Sequence, residues 1–152
     1  MRLDPLSLAR SRFVDTLSIV AREGSHLLDS LSRLVAEHMD QAWVERLEHQ
    51  PELAERLAAF VARFGRMQDT MGEKLLPRWL EAPGEVPGSM LDVLRRAKRL
   101  GIVEDATQWI DIRQRRHQLM HAYADDPKRF AEVVTRACQD VEIFVATYWY
   151  VS

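Results

Sequence analysis

The chain is poor in cysteine: among its 152 residues only Cys138 carries a thiol. That excludes an internal disulfide and a zinc site built on paired cysteines. It fits a reducing compartment, where disulfides are rare. Long apolar runs are also missing. The uncharged stretch from Ile143 to Ser152 falls far short of the ~20 apolar residues needed to span a bilayer. Met1 to Pro5 lacks the apolar core of a signal peptide. A soluble, cytoplasmic protein is expected. Six glycines and six prolines exclude collagen-like and low-complexity classes. Neither charge dominates: 21 Lys+Arg face 23 Asp+Glu, a net charge of -2, which argues against a polybasic nucleic-acid coat protein.

What is present is helical pattern. Hydrophobic residues make up 47% of the chain, enough for one domain with a real core. Leu6, Phe13, Leu17, Val20, Leu27, Leu31, Leu34 and Val35 form an apolar stripe at helical spacing. Gly24 interrupts it, which leaves one long helix with a weak point or two helices in line. Trp43, Val44 and Leu47 make a short connecting piece. Leu53, Leu57, Phe60, Phe64, Met67, Met71 and Leu75 form a seam suited to packing along another helix. Pro51 suits its first turn, and Pro77 is expected to kink its last. Residues 83–88, Pro-Gly-Glu-Val-Pro-Gly, read as a turn-rich loop. Ser89 then suits an N-cap and Gly101 a helix stop. A fourth helix is expected from about Asp105–Thr107 to Tyr123. Asp125-Asp126-Pro127 opens a last helix carrying Phe130, Val134, Ala137, Val141, Phe144 and Tyr148. The expected fold is a single all-α domain over residues 1–152, a bundle of about five helices.

The fourth helix holds an anomaly. At ~100° per residue, Trp109, Ile112, Arg116, Leu119 and Tyr123 share one narrow sector. Arg116 thus interrupts an apolar stripe, where a guanidinium requires an anion or an interface. Arg113, His117 and His121, spaced four apart, flank that stripe. These residue types suit RNA cleavage. An imidazole, with an ordinary pKa near ~6.5, can take a proton from a 2′-hydroxyl or give one to a leaving oxygen. An arginine can clamp the phosphate and oppose charge developing in the transition state. No convincing metal site is evident, and neither metal nor cofactor is expected.

The run from Arg113 to Tyr123 (Arg-Gln-Arg-Arg-His-Gln-Leu-Met-His-Ala-Tyr) resembles the signature of HEPN-domain proteins. It is most similar to HepT-like toxins, which pair with a minimal nucleotidyltransferase antitoxin. The segment from Phe64 to Pro77 resembles that family's second helix. Leu100-Gly101-Ile102-Val103 and Trp109 also stand where the family has similar residues. The likeness spans roughly residues 50–150. An arginine and a histidine separated by four to six intervening residues are weak by themselves, since composition alone gives about two matches. Three occur, from Arg33 to His38 and from Arg115 and Arg116 to the shared His121. Only the second site adds Tyr123 and the family-like segment upstream. The family usually has asparagine after the arginine, where this chain has His117.

The resemblance implies a HEPN-like homodimer formed through the fourth helix, with two copies of Arg116 and His121 in one cleft. It implies a metal-independent ribonuclease toxin, with Arg116 and His121 catalytic, His117 and Arg113 supporting, and RNA as substrate. Tyr123 would be the residue that the antitoxin modifies by nucleotide transfer. Other readings stand beside it. Arg116 can form an ion pair between helices, and His117 and His121 can simply face solvent. The chain can also be a non-catalytic companion that binds a nucleotide or a nucleotidyltransferase. Charge distribution bears on the choice. Residues 95–121 hold seven basic and three acidic groups, a balance of +4, so the remainder carries -6. A local basic patch on an acidic body can still attract a polyanion.

Overall fold

The computed structural model describes residues 4–121 and 126–152, and within them it is all helical with no strand. Seven α-helices follow in order: α1 (Pro5–Leu34), α2 (Gln41–Arg46), α3 (Pro51–Thr70), α4 (Leu76–Glu81), α5 (Met90–Arg99), α6 (Ala106–His121) and α7 (Pro127–Val151). A π-helical turn, Met71–Leu75, joins α3 to α4 without a break. The five expected long segments are therefore present, with α2 as a short addition. No described helix is long and apolar enough to cross a membrane.

Local chemistry sets most boundaries. The Asp4 carboxylate accepts from the Ser7 backbone N–H at 2.9 Å and caps α1, with Pro5 at its first position. Ser89 and Asp92 form a reciprocal capping box at the start of α5. Gly101, with φ of 82°, ends that helix in a backbone region other residues avoid. Asp126 caps α7 by accepting from the Arg129 N–H at 3.1 Å. Gly24 does not divide α1, which runs unbroken through it. A Cβ there would stand 3.3 Å from the Met67 terminal methyl, so the glycine admits a close approach of α3.

Pro77 is accommodated by a change of helix type in the turn before it. Proline cannot donate to the carbonyl four residues back, and its ring crowds that carbonyl. The helix widens just before it, and the Leu76 N–H donates to the Met71 carbonyl five residues back. Helical structure then continues as α4. Leu6 and Val35, at the two ends of the α1 stripe, are exposed rather than packed, because the stripe outruns the core it covers.

α1 packs antiparallel to α3 and α4. Arg63 of α3 donates to the His26 carbonyl and to Ser30 Oγ of α1, while Arg78 of α4 reaches back to Thr16 Oγ1 at 2.6 Å. The α3 seam from Leu53 to Leu75 is buried along its length. An aromatic series, Phe60–Phe64–Phe144–Trp109, passes from α3 through α7 to α6 with ring centroids 5.3–5.8 Å apart. α6 contacts both α3 and α7. That placement decides where its arginines point.

Cys138 faces this core, and burial, with the Asp140 carboxylate adding to it, pushes its thiol up to about 12. Almost none of it is thiolate near neutral pH. Native protein treated with iodoacetamide at pH 8 is therefore expected to alkylate at least ~100-fold more slowly than urea-unfolded protein, as mass spectrometry over time will read out.

Candidate functional site

The site is built on α6. Its apolar positions Trp109, Ile112 and Leu119 are buried, as their spacing predicts. Arg115 and Arg116 are successive residues, so their side chains leave the helix about 100° apart. They reach different neighbours.

Arg115 turns to α7. Its Nε and Nη2 donate to the two carboxylate oxygens of Asp140, the Nη2 bond at 2.7 Å. The side chains are 16% and 7% exposed, so this is a buried bidentate pair. Burial pushes the Asp140 carboxyl up, and the Arg115 guanidinium draws it back. Arg115 is thus committed to holding α6 against α7. Of the two arginines at motif spacing from His121, it is the one without an open side.

Arg116 turns to α3. Its Nε donates to the Gly65 carbonyl at 3.2 Å and its Nη2 to Asp69 Oδ2 at 2.7 Å. The inter-helix ion pair weighed from sequence is therefore formed, and Asp69 is the anion that an arginine in an apolar stripe requires. The pair is nonetheless open: Arg116 is 33% exposed and Asp69 41%. Among the described residues, none accepts a hydrogen bond from Nη1. Arg116 also lines an apolar groove of about 520 Å³ with Ala58, Val61, Ala62, Gly65, Leu119 and Met120. That volume lies within the range of small-molecule clefts, ~300–1,000 Å³.

Arg113, His117 and His121 are exposed along one edge of α6. The imidazoles of His117 and His121 lie against each other in a tilted arrangement, with ring centroids 4.4 Å apart and planes 49° apart. Arg113 has no ion pair among the described residues. Arg116 and His121, five residues apart, stand about 140° apart around an ideal helix. Tyr123 lies outside the described residues. No group of three or more His, Cys, Asp or Glu among the described residues is placed to hold a metal ion. At the other motif-like spacing, Arg33 pairs with Asp29 on the surface of α1, and His38 stands beyond that helix's end.

The ion pairs revise the local charge. Asp69 and Asp140 neutralise two arginines of residues 95–121, which reduces the +4 balance to +2. Glu85, 3.8 Å from Arg96, lowers it further. Arg95, Lys98, Arg99 and Arg113 remain exposed cations. Sequence reasoning did not name Gly65 or Asp69 as partners of Arg116. One clue was available, since an interior helical glycine costs ~1 kcal/mol relative to alanine and so calls for a packing reason.

No protein-family model, curated protein or solved structure matches the chain.

Removing one member of a buried charge pair leaves the other uncompensated, a loss of about 3–5 kcal/mol. Arg115→Ala is expected to lower unfolding free energy by that amount in urea titration. Arg113→Ala, with no partner to orphan, is expected to stay within ~0.5 kcal/mol of wild type.

Proposed function

We propose that this chain is a HepT-like toxin, a metal-independent endoribonuclease that acts as a homodimer through α6. The observation that carries the reading is the association on one helix of a half-open, hydrogen-bonded arginine with two neighbouring, solvent-facing histidines. Arg116 binds the scissile phosphate through its open edge and opposes the charge that builds in the transition state. His121 transfers the proton. The 2′-oxygen of the ribose loses a proton to an imidazole and attacks phosphorus. The P–O5′ bond then breaks, and the departing 5′-oxygen takes up a proton. The step neither oxidises nor reduces anything, and it leaves a 2′,3′-cyclic phosphate and a 5′-hydroxyl. His117 and Arg113 support the site from the same edge of α6.

The homodimer answers the angular separation of Arg116 and His121, because two copies of α6 place residues of both chains in one cleft. Regulation follows the resemblance. A nucleotidyltransferase antitoxin adenylylates Tyr123, and the added phosphate competes for the cationic site. A second reading is favoured by Asp69, which already balances Arg116. In it, the chain is a non-catalytic companion that binds a nucleotide or the transferase itself.

Purified protein incubated with single-stranded RNA and EDTA is expected to cleave it. His121→Ala is expected to cleave at least ~100-fold more slowly, the usual scale of general acid–base catalysis. Equal behaviour of the two proteins contradicts the ribonuclease reading. Stable co-purification with a nucleotidyltransferase, without growth arrest on expression alone, favours the companion role. RNA binding is expected to weaken as salt rises.

A further inference from the structure

We propose that Gly65 and Asp69 of α3 form a cradle that aims the free Nη1 edge of Arg116 at a phosphate, which makes both of them positioning residues. The identity of the substrate rests on the ribonuclease reading above. The cradle itself rests on the α3–α6 contact.

Gly65 and Asp69 are four residues apart and so share a face of α3. They hold two different nitrogens of one guanidinium, Nε at 3.2 Å and Nη2 at 2.7 Å. A guanidinium is planar and rigid, so fixing two of its nitrogens fixes the direction of the third. Gly65 supplies the space. A Cβ there would stand 3.0 Å from Arg116 Nε, 3.5 Å from Cζ and 3.6 Å from Cγ. The arginine therefore packs closely over the α3 backbone, where any Cβ would press on Nε and push it from this position by a few tenths of an ångström.

The exposure of the pair indicates what it is for. An ion pair exposed to this degree contributes little to stability. A helix-interior glycine also lowers helix propensity. Stability therefore favours neither residue at its position, whereas orientation of Arg116 requires both. The buried Arg115–Asp140 clamp one residue away shows what a stability-bearing pair in the same helix looks like.

The test uses the full chain and two independent readouts. The first is the Arg116 Nε–H resonance, assigned by its loss in Arg116→Lys. In wild type it is expected to exchange slowly with solvent. In Asp69→Ala and Gly65→Ala the exchange is expected to quicken at least tenfold, with unfolding midpoints within a few degrees of wild type. The second is cleavage of a single-stranded RNA oligonucleotide. Both variants are expected to lose about tenfold or more in kcat with KM changed less than about threefold, and Asp69→Glu to recover part of the loss. Cleavage at the wild-type rate overturns the proposal. Faster cleavage by Asp69→Ala also overturns it, by making Asp69 a brake on Arg116. If wild type leaves RNA uncut, the ribonuclease reading falls separately. Inorganic phosphate then decides: it is expected to shift the Arg116 resonance in wild type at concentrations at least tenfold lower than in either variant. An absent or equal response in all three proteins overturns the cradle.

Discussion

Two adjacent arginines on a helix that lies against the core set the central constraint of this molecule. Arg115 and Arg116 diverge by about 100°, so no single neighbour can serve both. The fold answers with a carboxylate on each side, Asp140 from α7 and Asp69 from α3. α6 is tied to both neighbours by charge as well as by Trp109, Ile112 and Leu119. The two answers differ in burial, and burial divides their roles. A charge pair taken out of water must be satisfied completely or it destabilises the fold. A half-open pair retains a hydrated, reachable edge.

The proposed function rests on that division. A cation that binds a phosphate must be oriented but not fully enclosed, and Arg116 meets both conditions. The imidazoles of His117 and His121 stand one turn apart on the exposed edge of the same helix. In the proposed reaction, proton transfer and charge stabilisation draw on side chains that one helix supplies. The cationic field around them is weaker than the charge count of residues 95–121 implies, since part of it is matched by acids from α3 and α7. In the proposed function, attraction of RNA therefore relies on Arg95, Lys98, Arg99 and Arg113.

Much of the fold was legible because local chemistry determines it. The α3 seam, the apolar face of α7, the Ser89 cap and the Asp126-Pro127 start follow from spacing and from backbone groups within one turn. The π-turn before Pro77 was less legible, since a proline in a helix can be accommodated by kinking or by widening. Leu6 and Val35 misled because periodicity gives a face and not the length over which that face is covered. At the site, the anomaly of Arg116 was plain and its partner was not. Asp69 lies 47 residues away in sequence and Asp140 lies 25 from Arg115. Only the arrangement of three helices decides which acid meets which arginine.

The division of labour between the arginines is tested most directly by pairing RNA cleavage in EDTA with urea unfolding for Arg116→Ala. The account predicts that cleavage is lost while unfolding free energy falls by no more than about 1 kcal/mol, the scale of an exposed ion pair. Cleavage at the wild-type rate, or unfolding as severe as that expected for Arg115→Ala, would contradict it.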